Sequence, residues 1–112
     1  MVLSAPDNFG SLSLEWQERI REMQRMNFGW LEGLVARNGE LLHGPQFNPV
    51  PEFKLDSDSS PCPQSKASDF ALRAKVRRLI EKVTTLPEGT TICIEVKHGL
   101  PFRVICPGLR VA

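Results

Sequence analysis

Sliding the sequence along itself by 60 residues, without a gap, brings two segments into register. Trp16 falls on Val76, Ile20 on Ile80, Met23 on Val83 and Met26 on Leu86. Further on, Gly29 meets Gly89, Leu34 meets Ile94, Ala36 meets Val96, Arg37 meets Lys97 and Gly39 meets Gly99. The early pairs keep the three- and four-residue spacing of a helix, and the later ones keep strand alternation and turn glycines. The correspondence therefore spans a whole supersecondary unit, and any fold of the first half must also suit the second. A chain of 112 residues has room for one core of ordinary size. The expectation is a single domain over 1–112, with repeat units at 11–44 and 68–107. A Pro/Ser-rich linker at 45–67 joins them, and residues 1–10 form a flexible tail.

In the first unit, Ser11 or Ser13 can cap a helix through its hydroxyl. Leu12, Trp16, Ile20, Met23 and Met26 then make one apolar stripe. Of the pairs four apart on the other side, Glu15–Arg19, Glu18–Glu22 and Arg21–Arg25, the first alone is attractive, so that face reads as a plain solvated surface. Gly29 ends the helix or opens a strand. Trp30 to Ala36 reads as the strand, Arg37-Asn38-Gly39 as a turn, and Glu40 to His43 as its return. Parity with Leu34 and Ala36 puts Trp30 in the core.

Between Gly44 and Ser68 the prolines 45, 49, 51, 61 and 63 and the tract Asp56-Ser57-Asp58-Ser59-Ser60 break the pattern. In the second unit, Ser68 or Asp69 caps a helix whose apolar face is Leu72, Val76, Leu79, Ile80 and Val83. Thr90 to Lys97 is rich in β-branched residues and reads as a strand, returning over Pro101 to Cys106. Pairing Lys97 with Pro101 sets Ile94 opposite Val104, Val96 opposite Phe102 and Ile92 opposite Cys106, with Glu95 facing Arg103 on the other side. That register implies a loop of about three residues centred on Gly99.

One helix on one hairpin is marginal alone, so the two units are expected to share a core. The fold class is α+β: two helix–β-hairpin (αββ) units in a two-layer arrangement, antiparallel strands with both helices on one face. The residues Gly89, Ile92, Ile94, Val96, His98-Gly99 and Val104 resemble those of small bacterial YezD-like domains, which are a helix followed by a β-hairpin. The stretches Asn27 to Val35 and Glu95 to Phe102 are similar to motifs of small bacterial proteins of the same kind. That resemblance implies a tandem helix–hairpin fold and brings no activity or catalytic residues with it.

Composition narrows the function classes. Fourteen Lys+Arg stand against 13 Asp+Glu, a balance that excludes an all-over polyanion-binding surface and leaves room for a local one. No apolar run reaches the ~20 residues of a membrane helix. Met1 to Pro6 lacks the basic start and apolar stretch of a signal peptide. Three cysteines at irregular spacing fit reduced thiols and a cytoplasmic location.

Cys62, Cys93, Cys106, His43 and His98 offer zinc-type ligands, but no Cys-x-x-Cys pair occurs and Cys93, His98 and Cys106 are spread over both strands of one hairpin, so they point to no metal and no cofactor. The register puts Cys106 on the apolar face and Cys93 on the other. No Cys–His, paired-carboxylate or phosphate-loop arrangement converges, so the chain is expected not to be an enzyme. The first expectation is a small interaction module for a protein partner or a second copy, with Trp30, Phe47 and Phe53 as candidate contacts. Phe9, Phe47 and Phe53 could also dock on the open face of the sheet. The alternative is a nucleic-acid-binding regulator that uses the basic second helix and its approach: Lys66, Arg73, Lys75, Arg77, Arg78 and Lys82. On a helical wheel Arg73 and Arg77 flank one side of the apolar stripe, and Lys75, Arg78 and Lys82 the other.

Overall fold

Ser13 is the cap that the first helix uses: its hydroxyl accepts from the Trp16 backbone N–H at 3.3 Å. The computed structural model describes residues 9–53, 55 and 74–109. After a 3-10 turn at Phe9–Ser11, the elements are α1 (Leu14–Met26), β1 (Phe28–Arg37), β2 (Glu40–Pro51), α2 (Ala74–Thr85), β3 (Thr91–Lys97) and β4 (Leu100–Ile105). The proposed second-helix caps Ser68 and Asp69, with Leu72, lie outside the described residues. Asn27, at φ 66°, ends α1 by returning its N–H to the Met23 carbonyl, and Gly29 belongs to β1.

The four strands form one antiparallel sheet in the order β2-β1-β3-β4. The architecture is α+β. The expected apolar stripes of both helices pack with Leu31, Leu34, Ala36, Leu41, Ile92, Ile94 and Val96 in one cluster, so the helices lie on the same face of the sheet. Each hairpin turn also meets the other half. Gly99 N–H donates to the Asn27 carbonyl at 2.9 Å, and Asn38 N–H donates to the Glu88 carboxylate at 2.6 Å. No helix among the described residues is long and apolar enough to cross a membrane.

Both turns hold two residues at positive φ: Asn38 and Gly39 in the first hairpin, His98 and Gly99 in the second. This is the backbone twist that two-residue hairpin loops require. The expected pairs Ile94–Val104 and Glu95–Arg103 are present, but Lys97 faces Leu100 and Val96 faces Pro101. The loop is therefore one residue shorter than expected, and a bulge at Phe102 absorbs the difference. Pro101 takes the buried position opposite Val96, and Phe102 turns outward.

The other departures have similarly local causes. β2 does not stop at His43 but runs on through Pro45 and Pro49 to Pro51, into the stretch expected to be linker. It is an edge strand, and Glu52 N–H still reaches the Phe28 carbonyl at 2.9 Å. Alternation then turns the nitrogens of Pro49 and Pro51 to the open side, where no hydrogen bond is lost. In β1 an irregularity between Leu31 and Leu34 inserts one extra residue relative to β3. Parity flips there, so Leu31 and Leu34 both enter the core and Trp30 moves to the opposite face, beside Val50 and Glu95. Phe47 does not dock on that open face. It packs against the core and stacks on His43 at 3.7 Å between ring centroids.

Candidate nucleic-acid interface

A helix brings residues three and four apart onto one side. Lys75, Arg78 and Lys82 of α2 accordingly form one row, with the expected flank arrangement. Val76, Leu79, Ile80 and Val83 anchor the helix to the sheet from the adjacent face. The row forms one bank of an open groove of about 320 Å³, with Leu79 on the same bank. The facing bank is β4: Pro101, Phe102, Arg103 and Val104. None of these lining residues is acidic.

Phe102 is the centre of the cationic cluster. The residue is 45% exposed, and Lys97 Nζ lies 4.1 Å from the ring centroid. Lys75 Nζ stands at 5.3 Å and the Arg103 guanidinium carbon at 5.8 Å. All three are within the range where a cation is attracted to a ring face. Arg103 reaches Glu95 only at 3.7 Å, a long and weak pairing for a largely exposed side chain. Just past β4, burial pushes the Cys106 thiol up, while the Lys82 ammonium pulls it back in part and Cys93 adds to the rise.

Of the residues expected on the basic surface, Lys75, Arg78 and Lys82 come together here. Arg77 is half-buried and is not part of the groove. Lys66 and Arg73 lie outside the described residues. Sequence reasoning missed Phe102, Lys97 and Arg103, because the regular register had placed Phe102 on the apolar face. Among the weaker contact candidates, Trp30 is half-buried on the open sheet face, Phe47 is engaged with the core and Phe53 is exposed. Among the described residues no group of three His, Cys, Asp or Glu side chains could hold a metal ion; Cys62 lies outside them.

The corresponding flank of α1 is built quite differently. The face of α1 expected to be a plain solvated surface buries Arg19, which is only 2% exposed. Its guanidinium bonds Glu15 at 3.1 Å, Glu18 at 3.3 Å and Glu22 at 2.8 Å, and also donates to the Leu41 carbonyl at 3.2 Å. Five donors in a planar fork can serve all these acceptors at once. His43 of β2 completes the cluster at 2.7 Å from Glu22. Sixty residues after Glu15, Glu18 and Glu22 stand Lys75, Arg78 and Lys82. Sixty after Arg19 and His43 stand Leu79 and Arg103. The flank of α1 is anionic and occupied by the chain's own cation; the groove beside α2 is cationic and has no carboxylate among its described lining residues.

In comparisons with known proteins, no family model, curated protein or solved structure matches the chain.

Proposed function

We propose that this chain is a non-enzymatic nucleic-acid-binding protein whose ligand lies along the groove between α2 and β4. The observation that carries the reading is a groove lined by Lys75, Arg78, Lys82 and Arg103 together with the exposed ring of Phe102, with no acidic residue lining it among the described residues. Basic groups along a groove follow a phosphate backbone, and an aromatic among them offers a face to a base. A protein partner with an acidic segment would satisfy the charges but would make no use of the ring.

The test is fluorescence anisotropy of a labelled 15-nucleotide single strand against salt concentration. Four phosphate contacts on a single strand give a slope of about −3 in log affinity against log salt, at ~0.7 per contact. Arg78→Glu combined with Lys82→Glu, both on the exposed side of α2, is expected to abolish binding at moderate salt without altering the thermal melt. A salt-independent interaction, or one indifferent to this double variant, would refute the proposal.

A second reading, an interaction module that pairs with a partner or a second copy, is favoured by the opposite face of the sheet. Trp30, Val35, Leu42, Val50 and Ile105 are half-buried or exposed there. A concentration-independent monomer mass by light scattering argues against self-association. We further propose that the two halves arose by tandem duplication of a helix–hairpin unit of the YezD-like kind. The element order and the 60-residue spacing of the positive-φ turns support that origin.

A further inference from the structure

We infer that the groove is selective for a single strand, one base of which stacks on Phe102. This rests on the nucleic-acid reading and goes further, naming the form of the ligand and the residue that selects it. The bulge in β4 is the first observation. Between the pairs Val96–Pro101 and Glu95–Arg103, Phe102 has no partner on β3, and the extra residue re-aims its side chain. The core does not need the ring, because Pro101 fills the buried place opposite Val96. A large apolar side chain is thus held out at a groove rim, ringed by Lys75, Lys97 and Arg103.

The chemistry of this arrangement separates ligand forms. In a duplex the base faces are already stacked on one another, so only the phosphates remain for Lys75, Arg78 and Lys82. In a single strand a base face is available to Phe102. The ammonium groups now resting near the ring are on flexible stems and can swing to the phosphates on either side of that base. Stacking and charge neutralisation then act together on a single strand, whereas a duplex engages the charges alone. An acidic polypeptide would find the cations and leave the ring unused.

The experiment measures binding of the full chain to a labelled 15-nucleotide oligo-dT, the corresponding oligo-rU and a 15-base-pair duplex at low salt. Wild type, Phe102→Leu, Phe102→Trp and the Arg78→Glu, Lys82→Glu double variant are compared. Phe102 is exposed, and circular dichroism melts check that each variant stays folded. Phe102→Leu is expected to weaken single-strand binding about ten-fold and leave duplex binding unmoved; Phe102→Trp restores the wild-type preference. Equal losses on both ligands, or no loss on either, overturn the inference. If Phe102→Leu binds single strands normally while the double variant does not, single-strand selection fails and nucleic-acid binding stands. If wild type holds none of the oligonucleotides, both fall. Displacement of the single strand by poly-glutamate at equal residue concentration would show a groove that reads charge alone, which also overturns the stacking.

Discussion

Replacing Gly33 by alanine tests the feature that decides which face of β1 is buried. Gly33 sits at φ +76° where β1 departs from regular pairing with both neighbours. A Cβ there would lie 2.3 Å from the Gln46 carbonyl oxygen and 2.8 Å from Phe47 Cα, both backbone atoms of β2. Two costs add: roughly 1–2 kcal/mol for an L-residue in the left-handed region, and roughly 1–3 kcal/mol for displacing a packed strand. Gly89 separates them. Its φ is +81°, but an added Cβ would meet nothing within 4 Å, so Gly89→Ala carries the conformational cost alone. Urea denaturation should therefore show Gly33→Ala less stable than Gly89→Ala by about 1–3 kcal/mol. The slope with denaturant should be unchanged in both if the native fold persists. Equal destabilisation of the two variants would show that β2 yields freely at Gln46 and that the close approach of the strands is not what holds the bulge. Near-ultraviolet dichroism adds a second readout, because losing the extra residue would carry Trp30 to the core face and Leu31 out of it.

Arg19→Met keeps the length of the side chain but leaves Glu15, Glu18 and Glu22 facing one another. Because Glu15 and Glu18 are partly exposed, the loss should be roughly 2–4 kcal/mol, toward the lower part of what breaking a buried pair costs, measured by the urea midpoint at pH 7. Arg19→Lys should recover only a part of it, since one ammonium does not span three carboxylates and a carbonyl. Cys106, its thiol pushed up by burial, stays protonated at neutral pH and should alkylate with iodoacetamide more slowly than the unfolded chain. The sign of its linkage follows: the folded state holds the proton more tightly than the unfolded one. Its contribution is thus complete below the ordinary thiol range and declines as pH rises through the elevated folded value. Cys106→Ala should flatten that alkaline decline in urea midpoint, and an unchanged slope would assign it to other groups.

Much of the fold was legible because it depends on periodicity. Trp16, Ile20 and Met23 on one helix, and Val76, Leu79, Ile80 and Val83 on the other, are all in the core. The Asn38-Gly39 turn and the pairs Ile94–Val104 and Glu95–Arg103 also follow from pattern and turn chemistry. What was not legible depends on single inserted residues and on long-range partners. Parity counted from Leu34 gives the wrong face for Trp30, because one extra residue in between reverses it. Pro45, Pro49 and Pro51 read as breakers unless it is known that their strand lies at an edge, which is a property of the whole sheet. The row Lys75, Arg78, Lys82 could be read from helical spacing, whereas Phe102 joined it only through the bulge. Arg19 looked solvated because what closes over it, the Leu41 carbonyl that accepts from it and the His43 ring that pairs with Glu22, comes from the hairpin rather than from its own helix.

The contrast between the two helix flanks is the strongest reason to expect an external anion. In both halves a helix carries three charges of one sign along the flank that faces its own outer strand. On α1 those charges are carboxylates, and the chain supplies the counter-charge itself, burying Arg19 among them at hydrogen-bond distance. On α2 they are cations, and the position 60 residues after Arg19 is Leu79, which belongs to the core. β4 adds a further cation, Arg103, rather than an acid. Like charges gathered at close quarters raise the energy of the folded state unless solvent, salt or a ligand screens them. A surface under ordinary selection for stability alone would intersperse the signs, as the near-neutral composition permits. The cost of keeping them together is small in salt, but it has a direction: it falls when a chain of phosphates occupies the groove. A folded chain stabilised at low salt by a single-stranded oligonucleotide, with the effect lost when Arg78 and Lys82 are reversed, follows from this asymmetry.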